Sequence, residues 1–299
     1  MITMPANPDM KAGALNYALE RIIFEMRDED CILIMDGDTT LSATLIEKCL
    51  FCLDQNPLAG AVSSIFTARP CESILEMLQA MEFWRYRRQI SRNGYRAFVL
   101  TGTASLFRVK ALRAVKEARL NGLLPNSSNS YYDTEGRTED NEITLALLSL
   151  GYDCLATEAF SETDVMETIG KVVKQRERWY NGAMINLKSY GHTLPWYLKW
   201  VYWKQQIGLS LAMLFLVVML ATLIVTAGLG ILEINGLWIA MLLILGIERT
   251  ATVWQLGWKA RLIAISLIPE QFYSFLLTII FGISLFHFYT GKKGSWHAT

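Results

Sequence analysis

The chain has 299 residues, a formal net charge of zero and 52% hydrophobic residues. The balanced charge argues against the broad basic surface of a nucleic-acid-binding protein, and no nucleic-acid partner is predicted. Charge is unevenly distributed, since only three acidic and five basic residues occur from position 207 onward. This distribution predicts a soluble, catalytic part followed by a membrane part.

The cysteines indicate the compartment of the first part. All five lie there, and Cys49 and Cys52 form a C-x-x-C pair with no second pair. A zinc site is therefore not expected. Free thiols are typical of a reducing compartment, so this part is predicted to face the cytosol.

The first predicted elements are a helix that begins near Lys11 and a strand at 31–35, followed by Asp36-Gly37-Asp38. The continuous apolar run favours a central strand covered on both faces. Two carboxylates at its carboxyl end, separated by one glycine, suit a divalent cation that also holds a diphosphate. A strand followed by an ordinary polar turn is the alternative interpretation.

Helices and strands are predicted to alternate through the middle of the chain. The segments are a helix at 42–54 capped by Ser42, a strand at 60–66, an arginine-rich helix at 71–91, a strand at 97–100 leading into Thr101-Gly102-Thr103, and a helix ending at Leu120. The polar residues 122–136 then predict a loop that is a candidate mobile segment.

An acidic pair opens the next predicted helix. Thr138 precedes Glu139 and Asp140, and the helix runs to Leu150, where Gly151 can close it. Carboxylates in a first turn also suit the helix dipole, so a purely structural role is the alternative. A short strand is predicted at 152–156.

A helix after that strand carries Gln175, Arg178 and Trp179. Spacings of three and four residues place these side chains on one helix face. A polar, cationic and aromatic face can bind a charged ligand. A structural arginine stacked on a tryptophan would explain Arg178 and Trp179 without function.

The remainder of the chain is predicted to meet the membrane. Residues 194–203 are rich in Trp and Tyr and fit the headgroup layer, whereas 207–229 contain no charge and are long enough to span. Further apolar stretches cover 238–247 and 272–289. Lys259 and Lys293 both carry the positive charge that is typical of cytoplasmic loops. If both lie on the cytoplasmic side, the apolar stretch between them is re-entrant, interfacial or two short spans.

These observations divide the chain into a cytoplasmic domain at 1–193, an interfacial aromatic helix at 194–206 and a membrane domain at 207–299 with two to four spans or re-entrant segments. The expected location is the cytoplasmic membrane. The expected topology is multi-pass, with the first domain facing the cytosol.

The ordered motifs Asp-Gly-Asp, Thr-Gly-Thr, Thr-Glu-Asp and Gln-Arg-Glu-Arg-Trp, followed by an aromatic stretch and membrane spans, carry a family resemblance. The sequence resembles the membrane-integrated family 2 glycosyltransferases, which include the cellulose, chitin, hyaluronan and poly-N-acetylglucosamine synthases. The resemblance implies an α/β GT-A fold, a nucleotide-sugar donor that is usually UDP-linked, and inversion at the anomeric carbon.

The resemblance also implies roles for individual residues. The matched positions are Asp36 and Asp38 for Mg²⁺ or Mn²⁺ on the donor diphosphate, Asp140 for the general base with Glu139 beside it, Gln175, Arg178 and Trp179 near the diphosphate and the acceptor end, Thr101, Gly102 and Thr103 near the acceptor, and Lys11 near the nucleotide. The implied partners are the donor, a growing polysaccharide or other glycan, or a lipid acceptor, and membrane lipid.

One departure from the family is that the chain starts almost at the Lys-Ala-Gly-Ala-Leu-Asn segment that contains Lys11. The first βα unit and its aspartate are not seen, so the GT-A domain is expected to be partial. A separate chain or a second copy of this chain could complete the sheet. The alternatives are that the start of the protein sequence is wrongly assigned, or that the chain is a degenerate copy of a family member. The alternative functions are transfer of one sugar to a lipid, or a non-catalytic membrane subunit or receptor.

Overall fold

The computed structural model describes residues 2–4, 7, 9–136, 138–231 and 236–291. Lys292 and Lys293, on which part of the topology prediction rests, lie outside the described residues. The strands are β1 Cys31–Met35, β2 Thr40–Leu41, β3 Ala59–Ala68, β4 Ala104–Arg108 and β5 Asp153–Thr163. The helices are α1 Met10–Ile22, α2 Leu45–Gln55, α3 Ile74–Arg92, α4 Val109–Leu120, α5 Glu139–Ser149, α6 Ile169–Ser189, α7 Trp196–Gly228, α8 Gly236–Thr252, α9 Trp258–Ser266 and α10 Ile268–Thr290.

The five strands form one mixed sheet in the order β1-β4-β3-β5-β2. β3 and β5 are parallel, and the other neighbouring pairs are antiparallel. β1, β3 and β5 therefore run in one direction and end at the same edge of the sheet. β4 begins at that edge, with Ala104 opposite Met35, so the residues that follow β1 lie beside those that precede β4.

β1 is an edge strand of the described sheet, which corrects the prediction that it is central. The prediction that both of its faces are covered is confirmed. Ile32 and Ile34 pack on one hydrophobic core, whereas Cys31 and Leu33 pack on a second core against α2. An apolar run reports that both faces are covered, but it carries no information about which sides have neighbouring strands.

The predicted strand at 97–100 is wrong, because none of these residues belongs to a strand of the described sheet. Arg96, just before them, forms an isolated bridge to Leu155, and the Ala97 N–H donates to the Cys154 carbonyl. The backbone N–H of Leu100 instead donates to the Thr144 hydroxyl, at 2.9 Å. The predicted cap at Ser42 is also wrong. The helix begins later, after Thr44, and the Ser42 hydroxyl is buried without a described partner.

The loop at 122–136 is anchored, in contrast to the prediction of a mobile segment. Leu124, Tyr131 and Tyr132 are buried in the main core. The side-chain amide of Asn16 in α1 donates to the Tyr132 carbonyl, at 2.9 Å, and its oxygen accepts from the backbone N–H groups of Tyr131 and Tyr132. Polar composition predicted a loop correctly, but these contacts come from a distant helix.

A buried ion pair fixes α5 to α4. Arg119 donates two hydrogen bonds to the Glu142 carboxylate, at 2.6 and 2.8 Å, and both side chains are fully buried. The Tyr190 hydroxyl also donates to Glu142. Removing one partner of such a pair leaves an uncompensated buried charge and costs about 3–5 kcal/mol. The triad therefore fixes the helix that carries Glu139 and Asp140.

The long apolar helices form the last part of the chain. α7 and α10 are each long and apolar enough to span a membrane, with mean hydropathies of 2.7 and 1.7 in their most apolar windows. Residues 194–203 do not form a separate interfacial helix, because α7 runs unbroken from Trp196 to Gly228. No proline interrupts residues 196–228, so the helix can continue through Gly208.

α6 and α5 approach closely at Gly182. A Cβ at this position would lie 2.6 Å from the Thr138 hydroxyl, closer than real contacts allow. Asn186, one helical turn further along α6, donates to the Thr138 carbonyl and to the Asn141 side chain. Gly182 therefore sets the distance between α6 and the start of α5.

We expect Gly182→Ala to lower the thermal unfolding midpoint, because the new methyl group displaces Thr138 and with it the first turn of α5. Gly170→Ala is the matched control, since Gly170 lies in the same helix and its Cβ would meet no atom. The control should leave the midpoint unchanged or slightly raised. Equal midpoints for the two variants, measured by differential scanning fluorimetry, would contradict this packing role.

Candidate active site

Lys11 lies between two carboxylates at the edge where β1 ends. Its ammonium is 2.5 Å from Asp36 Oδ1 and 2.9 Å from Glu139 Oε1. Burial disfavours a charged lysine, but Glu139 and Asp36 outweigh this cost and raise the Lys11 pKa above its ordinary value. Lys11 thus connects the end of β1 to the start of α5 and stays protonated.

Gly102 lies opposite this charged cluster. A Cβ on Gly102 would be 3.2 Å from Lys11 Nζ, 3.4 Å from Asp140 Oδ2 and 3.5 Å from Asp36 Oδ2. The missing side chain leaves room above the three charged groups. Asp36, Gly102 and Asp140 are thereby brought together, although they are far apart in sequence.

Asp140 is half-buried and, among the described residues, forms no ion pair. Its Oδ1 accepts a hydrogen bond from the Asn141 backbone, at 2.7 Å. Burial and the neighbouring Glu139 raise the pKa of Asp140 to about 6, although Lys11 and Arg178 act in the opposite direction. A carboxylate with this pKa is a good proton acceptor near neutral pH.

The two threonines of the Thr-Gly-Thr segment bond within the fold. The Thr101 hydroxyl donates to the Ser64 and Ala104 carbonyls, at 3.3 and 3.2 Å. The Thr103 hydroxyl bonds with those of Ser64 and Ser161. These contacts fix the loop to the sheet. Thr101, which is buried, and Gly102 line a small pocket together with Lys11, Glu139 and Asp140.

Four buried side-chain atoms on α6 have no hydrogen-bond partner within the described structure: Gln175 Oε1, Arg176 Nε, Arg178 Nε and Asn181 Oδ1. Arg176 donates to Glu82 through another nitrogen, so Gln175 and Arg178 are the two that match the motif. Buried polar atoms of this kind are rare in native proteins and indicate a ligand or water in the functional state. Because Arg178 lowers the pKa of Asp140 through its charge, it belongs to the same electrostatic site.

Trp179 does stack on an arginine, but that arginine is Arg176, with 4.4 Å from its guanidinium carbon to the ring centroid. Arg176 is buried and donates to Glu82 in α3, at 2.9 Å. The structural interpretation therefore applies to Arg176 and Trp179. Arg178 remains available for a ligand.

The metal prediction concerns Asp36 and Asp38. The Asp38 side chain is exposed, and Asp36 Oδ2 is directed toward Gly102, away from the oxygen that Lys11 binds. No set of three His, Cys, Asp or Glu residues suited to a metal occurs in the part of the chain that the structure describes. Two carboxylates fit Mg²⁺ or Mn²⁺ when substrate phosphates and water complete the shell.

Arg69 is a residue that the sequence analysis missed. It follows β3 and pairs with Asp164, which follows β5, at 2.6 Å. Its guanidinium also donates to the Asp38 carbonyl and to the Thr40 hydroxyl. The signal that could identify Arg69 is its position directly after a strand at the same edge as Asp36. It fixes the turn that presents Asp38.

A family model described as glycosyl transferase family group 2 matches residues 31–290. The chain belongs to this family. A sequence search finds no curated protein that matches the chain. Among solved structures it is similar to the mannosyltransferase PcManGT from Pyrobaculum calidifontis, which was solved in complex with GDP-Man and Mn²⁺. The identity is 14%, the TM-score is 0.53, and the match covers 93% of this chain and 67% of that one.

Family membership and the shared GT-A-like fold make this chain a glycosyltransferase, as the motifs predicted. The low identity to the mannosyltransferase shows a common fold, and it does not transfer that protein's donor. The predicted synthase subgroup and the roles of individual residues stay predictions. Lys11, Thr101, Gly102, Glu139 and Asp140 line one pocket, and this placement permits specific tests.

We expect an acidic limb near pH 6 in the profile of the catalytic rate, because Asp140 must be deprotonated to accept a proton. Glu139→Gln removes a charge that raises the Asp140 pKa and should move this limb to lower pH. Lys11→Met removes a positive charge that lowers the Asp140 pKa and should move the limb to higher pH. Each substitution should shift the limb by about 1 pH unit. Shifts in the same direction, or a limb that neither change moves, would contradict the assignment of Asp140.

Proposed function

We propose that this glycosyltransferase is an inverting, metal-dependent enzyme. It transfers a sugar from a nucleoside-diphosphate sugar to a growing glycan or a lipid acceptor at the membrane surface. The observation that carries the proposal is the division of roles within one cluster of acids. Lys11 pairs with both Asp36 and Glu139. Asp140 forms no ion pair among the described residues, and burial and the neighbouring Glu139 raise its pKa.

The donor diphosphate is assigned to the region of Asp36, Asp38 and α6, beside the pocket that Lys11 and Asp140 line. A bound Mg²⁺ or Mn²⁺ supplies positive charge that stabilises the leaving diphosphate. Arg178 and Gln175 provide the cationic and polar groups whose buried atoms have no described partner. A fixed arginine is well suited to phosphate oxygens because its guanidinium presents several donors in one plane.

A single displacement follows from the position of the base. Asp140 takes the proton of the acceptor hydroxyl while that oxygen attacks the anomeric carbon and the diphosphate leaves. One displacement inverts the configuration of that carbon. A retaining route through a covalent intermediate needs a second carboxylate in the pocket as nucleophile, and the other acid that lines the pocket, Glu139, is paired with Lys11.

The apolar surface supports a membrane setting. In the most apolar window of α7 no residue is buried, and exposed large side chains continue along α8. An apolar surface of this extent is unfavourable in water. We assign α7 and α8 as a membrane hairpin whose return ends at Thr252, which accepts a hydrogen bond from Arg85 of the catalytic part.

α10 is assigned to the membrane surface. Along its length it contacts α6 through Tyr273 beside Arg176, Phe281 against Tyr180, and His287 beside Glu177. Its opposite face exposes large apolar side chains. A helix with one face on the catalytic domain and one apolar face suits an interfacial position better than a span.

The acceptor side lies near the start of α7. The Tyr202 hydroxyl donates to the Phe98 carbonyl, and the two rings are 6.2 Å apart. Phe98 shortly precedes the Thr101-Gly102-Thr103 loop, so the pocket is tied to the proposed membrane helix. This link favours an acceptor that is held at the bilayer, and transfer of one sugar to a lipid is the second candidate function.

The outer edge of β1 has no strand neighbour within the described sheet. An uncovered strand edge promotes pairing with another chain. A strand from a separate polypeptide or from a second copy would cover it. We therefore include such a partner in the proposal, and donor binding should be compared with and without any polypeptide that co-purifies.

Asp38→Ala and Asp140→Asn should separate binding from turnover. We expect Asp38→Ala to weaken Mn²⁺-dependent binding of UDP or GDP at least tenfold, because one of two metal ligands is lost. Asp140→Asn should bind the nucleotide as the wild type does but lower the transfer rate by about 10²–10⁴-fold. Asp54→Asn, at an exposed position, is the control. Calorimetry and radiolabelled sugar transfer measure the two effects, and equal loss of binding in both variants would overturn the division of roles.

Product stereochemistry tests the mechanism directly. With a donor whose anomeric bond is α, the product should be β-linked, and NMR coupling constants of the new glycoside distinguish the two forms. Both uracil- and guanine-based donors should be supplied, with vesicles that contain the acceptor lipid or a glycan primer. An α-linked product would disprove the single displacement.

A further inference from the structure

A second groove, separate from the catalytic pocket, lies between α3 and the end of α8. It has a volume of about 540 Å³ and shares no lining residue with the pocket that contains Asp140. One wall is the C-terminal half of α3. The other is the segment around Thr252 and Trp254, where α8 ends. We call it the α3–α8 groove, with Trp84, Arg87, Arg88, Arg92, Tyr95 and Trp254 among its lining residues.

The groove is strongly basic, and its charge is not neutralised from within. Arg88 and Arg92 form no hydrogen bond or ion pair with any described residue, and Arg87 only stacks beside Trp84, at 5.0 Å. The one acid in the lining, Glu158, accepts a hydrogen bond from Tyr95, at 2.8 Å. Arginines that line a groove without an anionic partner are suited to bind an anion.

Arg85 shows that the basic charge on α3 is not simply a solvated face. Unlike its neighbours, Arg85 is paired with Glu270, at 2.7 Å, and donates to the Thr252 hydroxyl, at 3.0 Å. These bonds hold the end of α8 against α3. The groove therefore has fixed walls, and its unpaired arginines are presented between them.

The position of the groove indicates the source of the anion. Thr252 ends a helix whose apolar residues are exposed, so the opening lies where the proposed membrane hairpin returns to the catalytic part. Trp254 is 56% exposed at this opening. Tryptophan is enriched at the headgroup level, and basic pockets beside membrane helices bind anionic lipid headgroups.

We propose that the α3–α8 groove binds the phosphate headgroup of an anionic phospholipid, with Arg88 and Arg92 on the phosphate and Trp254 against the glycerol region. The proposal rests on the membrane setting of the proposed function but not on its chemistry. On the same helix, burial and then the charge of Asp140 raise the pKa of Tyr86. The helix that would bind the lipid therefore also lies near Asp140.

The test uses the full chain in detergent, titrated with phosphatidylglycerol or phosphatidylcholine and observed by native mass spectrometry. Phosphatidylglycerol should bind at least tenfold more tightly than phosphatidylcholine. Arg88→Gln/Arg92→Gln should abolish this difference. Arg21→Gln/Arg27→Gln removes the same charge from the exposed end of α1 and its following turn, and should preserve it.

Two further arms test the role of charge and the source of the anion. Arg88→Lys/Arg92→Lys keeps the charge and should retain most of the preference, and if it binds as weakly as the glutamine variant, the proposal fails. Inorganic phosphate at the same concentration should not displace the lipid, and displacement would mean a site for soluble anions instead. Each of these experiments measures lipid binding, so it can be interpreted even if the protein shows no sugar transfer. Equal binding of both lipids to the wild type would overturn the proposal.

Discussion

The contacts of Lys11 are the interaction on which the catalytic arrangement depends. Asp36, Glu139 and Asp140 come from two elements and would repel one another if they were left alone at one edge of the sheet. Lys11 engages two of them and joins the end of β1 to the first turn of α5. The third, Asp140, forms no ion pair among the described residues, and burial together with the adjacent Glu139 raises its pKa. The role proposed for Asp140 rests on this difference.

The sheet and the buried triad hold these groups in register. The antiparallel pairing of β1 and β4 places the Gly102 loop beside Asp36, and a backbone hydrogen bond from Asp36 to Thr103 closes the gap. Arg119, Glu142 and Tyr190 fix α5 from the other side. Catalytic geometry thus rests on contacts that are far from the substrate, and a family signature alone does not describe them.

Much of this architecture could be predicted from sequence. The spacing of hydrophobic residues and the motifs located α1, β1, α5 and α6, and the order of the motifs identified the family. Both signals lie within short stretches of sequence, so no knowledge of distant contacts is needed. The edge position of β1, the anchoring of residues 122–136 by Asn16 and the partner of Trp179 could not be predicted. Each depends on which distant segment packs nearby, and one sequence contains no direct record of such pairs.

The contact between α10 and α6 has a consequence for substrate choice. α6 carries Gln175 and Arg178, and α10 is fixed to it by Tyr273, Phe281 and His287. If α10 rests on the bilayer surface, as proposed, this contact would hold the diphosphate site at a fixed distance from the lipid headgroups. An acceptor would then react only if its hydroxyl reached that distance from the bilayer. Selection by height would let one pocket exclude soluble sugars that fit it equally well in shape.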